Sequence, residues 1–364
     1  MAYITHIGTA TPEFEIPQDQ AAQFMVNALQ LDYPESRRLK ALYKATRIQK
    51  RYSVLADYQK YPNTHFYPQT KNLEPFPSTQ ARMQLYEQHA QQLAQTAVMD
   101  ALPQNFDWQS ITHLITVSCT GMYAPGLDID LIQHLNLNKT IHRTAINFMG
   151  CYASFNALKS AQAICLAFPQ AKVLIAGVEL CSLHFQKQLN DDQLLANAIF
   201  ADGAAAVLVQ NHPLTDQLNL QLDQFYCDLI AEGEQDMAWR IGDFGFEMRL
   251  SSYIPKLLSS NLKQIIEQAC AYFQLSFSEI TQFAIHPGGR AILDGISKTL
   301  NIPPDTLKHS YDTLANYGNM SSVTILFVLK QLLLERPKMQ QGQKILSMAF
   351  GPGLTLEAGM MHVV

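Results

Sequence analysis

The chain has 364 residues, 48% hydrophobic and only 16% charged, a balance that allows one large domain or two ordinary ones around a substantial core. A net charge of −5 disfavours general nucleic-acid binding, and no run of about 18 apolar residues is present to span a bilayer. The start, MAYITHIGTATPEFEIPQDQ, has no basic segment followed by an apolar one, so no secretion signal is expected and the protein reads as cytoplasmic.

Six cysteines (Cys119, Cys151, Cys165, Cys181, Cys227, Cys270) are scattered without CxxC spacing, which predicts free thiols. The eleven histidines form no HExxH and do not pair with cysteines at zinc-ligand intervals, so no metal site is expected.

In chain order, the first distinctive stretch is ESRRLKALYKATRIQKRY. There Arg37, Arg38, Lys40, Lys44, Arg47, Lys50 and Arg51 stand against the single acid Glu35. It reads either as a solvated helix face or as a site for a phosphorylated small molecule. Short β-rich apolar runs then alternate with helical patterns: THLITVS, a helix after Cys151, AKVLIAGVEL and GAAAVLV. That order predicts an α/β fold with buried strands. The turn-rich QNHPLTDQLN at 210–219 marks a boundary between an N-terminal half, 1–212, and a C-terminal half, 213–364. The second half repeats the scheme with ITQFAI, the helix SSVTILFVLKQLLLE and a strand pair in KILSMAFGPGLTLEAGMMHV. Only the ordering repeats, not the residues.

Three residues stand at turns between these elements. Apolar positions Ala157, Leu158, Ala161, Ile164, Cys165 and Phe168 recur at helical spacing and Pro169 ends the pattern, which puts Cys151 in or just before the first turn. Unpaired N–H groups at a helix start favour thiolate over thiol, so Cys151 is expected to have a lowered pKa. Alone, it is equally a small buried hydrophobe, as Cys165 is read to be. His286 ends a buried strand and precedes PGGR, where α/β proteins place chemistry, although a hydrogen-bonded core histidine is the plain alternative. Asn319, in YGNMSSVTILFVL, is either a helix cap or an amide donor. Together, thiol, imidazole and amide suit two chemistries: a cysteine hydrolase, or a carbon–carbon bond-forming enzyme that aims His and Asn at a thioester carbonyl.

The ordered motifs ITHIGTATPE, VSCTGMYAPGLD, GCYASFNALK, IFADGAAAVLV, IHPGGRAILD, YGNMSSVTILF and FGPGLTLEAGMM cover nearly the whole chain. With them the sequence resembles the type III polyketide synthases of the chalcone synthase-like group, on the bacterial branch. The resemblance implies an α/β thiolase-like fold, two similar βαβαβ halves packed as α-β-α-β-α layers, and a homodimer. It implies that Cys151 accepts the acyl group with His286 and Asn319 as partners. Phe200 and Phe246 match the aromatic pair that gates the cavity, and Gly351, Pro352 and Gly353 match a turn forming one wall. Cavity positions that bear hydroxyls in plant relatives are Cys119, Cys181 and His184 here, with Thr120 and Ser321 retained. Arg38 and Lys44 are the nominated contacts to CoA phosphates, although Ala41 and Ala45 stand where cations are expected.

The activity implied is iterative decarboxylative condensation of malonyl-CoA onto an acyl-CoA starter, leaning toward fatty acyl, then cyclisation to a pyrone, resorcinol or related product. CoA thioesters are the substrates and no further cofactor is needed. A ketoacyl synthase III-like single condensation shares the Cys-His-Asn set and is the nearest rival, ahead of a cysteine thioester hydrolase or a non-catalytic acyl-CoA binder.

Overall fold

The computed structural model describes residues 1–60, 66–68, 70–234, 236–251, 253–334 and 339–364. Its strands are β1 (Tyr3–Ala10), β2 (Phe14–Pro17), β3 (Lys50–Ser53), β4 (His113–Ser118), β5 (His142–Asn147), β6 (Lys172–Leu180) and β7 (Asp202–Gln210). After these come β8 (Leu220–Leu229), β9 (Met237–Gly242), β10 (Gly245–Leu250), β11 (Gln282–Ile285), β12 (Lys344–Gly351) and β13 (Thr355–Val363).

Nine of them form one ladder in the order β11-β12-β13-β8-β1-β7-β6-β4-β5, while β2–β3 and β9–β10 pair separately. The ladder is two half-sheets joined through β1 and β8, which share only the pairs Tyr3–Gln221 and Ile4–Leu220. Each half mixes parallel and antiparallel neighbours: β4 runs parallel to β5 and β6, and β11 parallel to β12, with antiparallel pairing toward the junction.

Strand side chains point to alternate faces, so each half-sheet buries two surfaces. Val173 and Ile175 on β6, and Ile345 and Ala349 on β12, enter a central core built around the helices Ala153–Ala167 and Thr324–Leu334. Their neighbours Leu174, Ala176 and Val178 meet the outer helix Thr79–Ala101. Leu346, Met348 and Phe350 meet the outer helices Ile254–Tyr272 and Arg290–Thr299. The layers therefore run helix, sheet, helix, sheet, helix, as in the thiolase-like fold that the resemblance implies.

Helix Ala153–Ala167 buries Phe155, Ala157, Leu158, Ala161 and Cys165, each large side chain worth about 1.5–3 kcal/mol. It stops where Phe168 N–H closes the last bond to Ile164, because Pro169 has no N–H to continue the ladder. Cys151 and Asn319, which precede the two central helices, line one cavity. All six cysteines are free thiols, and only Cys227 is exposed.

Candidate active site

Three segments from distant parts of the chain meet at one cavity. After β5, Phe148 and Gly150 adopt φ of 61° and 84°, turning the chain so that Cys151 stands two residues ahead of helix Ala153–Ala167. His286 follows β11; its backbone N–H donates to Met348 O at 2.8 Å, prolonging the parallel ladder to the residue that carries the imidazole. Asn319 follows Gly318 and is held against Phe200: its N–H donates to Ile199 O at 2.8 Å and its carbonyl accepts from Ala201 N–H at 2.9 Å.

The Asn319 amide serves both roles weighed from the sequence. Its Oδ1 accepts from Ser321 N–H at 2.9 Å, capping the turn that leads into helix Thr324–Leu334. That fixes Nδ2 on the other side, where it donates to Gly288 O at 3.3 Å, just past His286. The cap orients the donor.

Cys151, His286 and Asn319 line the cavity together with Cys119, Thr120, Cys181, Phe200, Ser321 and Pro352. The His286 ring is buried, and neither of its nitrogens has a hydrogen-bond partner among the described residues. Burial lowers its pKa to about 3, so the imidazole rests neutral.

The expected lowering of the Cys151 pKa is not met. Burial pushes the thiol up to about 12, outweighing hydrogen bonding from Ser321 and Asn319, which favours the thiolate. A helix terminus contributes only a fractional charge, whereas desolvation acts on the whole thiolate. The resting pair is therefore thiol and imidazole rather than an ion pair.

Behind the cavity, Glu179 lies fully buried at the end of β6. It accepts from Cys119 N–H at 2.9 Å, Thr120 Oγ1 at 2.8 Å and Ser322 Oγ, and burial raises its pKa despite these bonds. It ties the Cys119–Thr120 wall to the segment after Asn319. The Cys119 thiol also accepts from Gly150 N–H at 3.0 Å, next to Cys151.

Other sequence-nominated residues fall elsewhere. Phe200 faces the cavity, but Phe246 does not; it lies flat on His184, ring centroids 4.2 Å apart, and both line an adjoining cavity. The residues of β10 that reach the Cys151 cavity are Met248 and Leu250, two and four positions along the same strand face. Pro352 lines the cavity while Gly351 packs under the Tyr152 ring and Gly353, at φ 83°, completes the turn. Arg38 is exposed and ion-paired with Asp191 at 2.6 Å, and Lys44 borders an open surface hollow with Lys40 and Arg47. Neither touches the cavity. From the same basic segment, Arg51 is buried and donates to Asn197 O and Phe200 O, so it supports the cavity wall instead of facing solvent.

Trp239, Met248 and Glu179 were missed from the sequence. Alternation of the large apolar Met237, Trp239 and Ile241 with Ala238, Arg240 and Gly242 marks a strand, and one acid in the apolar run KVLIAGVEL marks a buried, paired carboxylate.

A fold of this layering with thiol, imidazole and amide in a buried pocket suits an acyl-transferring enzyme. Residues 1–213 match the family described as "Chalcone and stilbene synthases, N-terminal domain" and residues 221–364 its C-terminal counterpart. The chain belongs to the chalcone and stilbene synthase family, the acyltransferases known as type III polyketide synthases.

A "Putative chalcone synthase" of Bacillus subtilis is 30% identical, covering 98% of this chain and 97% of its own. The "Alpha-pyrone synthesis polyketide synthase-like Pks18" of Mycobacterium tuberculosis is 29% identical, covering 100% and 92%. A "Probable polyketide synthase 1" of Dictyostelium discoideum is 29% identical over 98% of this chain, which spans only 11% of that protein. The solved C-terminal type III domain of Steely1, a type I/III hybrid from Dictyostelium, superposes with TM-score 0.90 at 28% identity, 99% of each chain covered. PKS-I from the brown alga Ectocarpus siliculosus matches with TM-score 0.90 at 25% identity, covering 100% and 98%.

Among the described residues no helix is long and apolar enough to cross a membrane, and no group of three or more His, Cys, Asp or Glu is placed to hold a metal ion.

Proposed function

We propose that Cys151 takes an acyl group from a starter acyl-CoA and that malonyl-CoA extends it in repeated decarboxylative condensations, ending in cyclisation to a pyrone, resorcinol or related ring. The observation that carries this is the convergence of Cys151, His286 and Asn319 on one buried, largely apolar cavity. The name of the Mycobacterium relative supports a pyrone among the products.

The buried neutral imidazole supplies the base. As Cys151 Sγ attacks the thioester carbonyl, its proton passes to His286, and the departing CoA thiolate takes that proton back. Malonyl-CoA then places its thioester oxygen toward His286 and Asn319 Nδ2. Loss of CO2 leaves an enolate, and donors fixed in a dry pocket stabilise the oxygen on which charge grows. Phe200 gives the leaving carboxylate an apolar neighbour, favouring neutral CO2 over the anion. The enolate carbon attacks the Cys151 thioester, releasing the thiolate and forming a lengthened acyl-CoA that reloads.

In this reading the halves 1–212 and 213–364 supply nucleophile and partners respectively, and CoA phosphates rest on Arg38 and Lys44 at the cytoplasmic enzyme's surface. Binding there requires Arg38 to exchange Asp191 for phosphate. A second copy pairs along β5, whose free edge and exposed Met122 and Met149 suit an interface.

Mass spectrometry of products from malonyl-CoA and a panel of acyl-CoA starters, with Cys151→Ala as control, tests the proposal. Cyclised products several two-carbon units longer than the starter support it. A single extension points to a ketoacyl synthase III-like reaction, and free acid alone points to a thioester hydrolase.

A further inference from the structure

Two cavities lie side by side at the end of β6. One holds Cys151, His286 and Asn319; the other is largely apolar, with Ile16, Met25 and Phe185 among its walls. Cys181, Phe200, Trp239 and Met248 face both, so a single layer of side chains separates them. Trp239 and Met248 come from the β9–β10 hairpin, which among the described residues pairs only with itself.

Away from the Cys119–Thr120 wall, the hairpin is held at two places. Toward its tip, Gly245 N–H donates to Thr79 Oγ1 at 2.8 Å; along its outer side, Gln186 Nε2 donates to Phe244 O at 3.0 Å and Gln193 Nε2 to Met248 O at 3.0 Å. Toward the Cys119–Thr120 wall, the links among the described residues are two side chains. Trp239 Nε1–H donates to Cys119 O at 2.7 Å. His184 bridges: its Nδ1 accepts from Phe246 N–H at 2.9 Å and its Nε2–H donates to Thr120 O at 2.7 Å. A backbone N–H can only donate and a carbonyl can only accept, so these partners fix one neutral tautomer. The ring lies flat on Phe246 with Trp239 edge-on at 5.6 Å.

We propose that His184 and Trp239 are positioning residues that clamp the hairpin against the Cys119–Thr120 wall, and that this clamp decides which acyl chains the enzyme accepts. With the clamp closed, the Cys151 cavity holds short acyl groups. A long aliphatic acyl group must displace the hairpin and pass into the second cavity. The inference rests on the polyketide synthase reading above and names the structural element that sets its starter range.

The test compares wild type with His184→Phe, which keeps a ring without the bonds, His184→Gln, which keeps a donor and an acceptor, and Trp239→Phe, which removes only the indole N–H. The readout is the ratio of product formed from decanoyl-CoA to product formed from acetyl-CoA, each with malonyl-CoA. Buried backbone groups left without partners loosen the closed form, so His184→Phe and Trp239→Phe raise the ratio about tenfold. His184→Gln stays within about twofold of wild type. An unchanged ratio in both Phe variants, or an equal shift in His184→Gln and His184→Phe, overturns the clamp. Wild type that makes no malonyl-dependent product defeats the polyketide reading instead.

Should the variants not fold, amide exchange of wild type decides. Residues 239–248 must exchange faster when Cys151 carries a decanoyl group than when it carries acetyl, and equal rates overturn the proposal.

Discussion

Gly150 and Pro352 approach so closely that a Cβ built on the glycine would lie 2.2 Å from the proline Cδ. Gly150 also holds φ 84°, so an L side chain there is strained twice over, by backbone and by contact. Gly150→Ala should therefore cost about 2 kcal/mol or more and move Cys151 away from its partners. A urea titration reads the first effect; product formation, expected to fall at least about 100-fold, reads the second.

A thiol held at about 12 has a thiolate fraction that climbs with pH throughout the neutral range. Alkylation of Cys151 by iodoacetamide, followed by peptide mapping, should accelerate about tenfold per pH unit from 7 to 9. A plateau below pH 8 would reveal a thiolate–imidazolium pair and contradict the neutral resting state.

Asn319→Asp keeps the oxygen that caps the following turn but loses the Nδ2 donor. Decarboxylation of malonyl-CoA should slow about 100- to 1000-fold, while acylation of Cys151 by the starter changes little. Asn319→Ala should show the same kinetic split with lower stability, because the cap is gone as well. Equal loss in both half-reactions would place Asn319 in a structural role.

His184 and His286 are buried and neutral, each with a pKa pulled by burial to about 3 from an ordinary 6.5. Between those values the unfolded chain binds protons that the fold refuses. Stability is therefore complete above pH 6.5 and drains below it, by about 1.4 kcal/mol per pH unit for each group. In urea titrations, His286→Gln should lose about 2 kcal/mol less than wild type between pH 6.5 and 5. Parallel pH curves would mean that His286 is already charged in the fold.

The sequence made Cys151, His286 and Asn319 legible because each sits where a regular element stops: a glycine turn, a strand followed by PGG, a GN before a helix. Such junctions are marked by residue type. The layers were legible for a similar reason, since alternation and helical periodicity report which faces are buried. What could not be read was the strength of desolvation at Cys151. Local sequence shows a helix start, but the groups that dry the thiol come from other segments, Phe350 and Pro352 among them. Phe246 was placed at the cavity where Met248 lines it, because aromatic character was followed rather than strand register. In the basic segment, Arg51 turned inward because helix Asp191–Ile199, far along the chain, ends with free carbonyls at Asn197 and Phe200 that need a donor.

Cys151 is supplied by the first half-sheet and its layers, His286 and Asn319 by the second. During synthesis Cys151 emerges long before His286 and Asn319, and β12 is needed to seat His286, whose backbone N–H donates to Met348 O. A chain that ends before β12 has neither Phe350 and Pro352 to dry the Cys151 thiol nor a seated imidazole beside it. The cavity that brings Cys151, His286 and Asn319 together is therefore complete only when the C-terminal strands have folded.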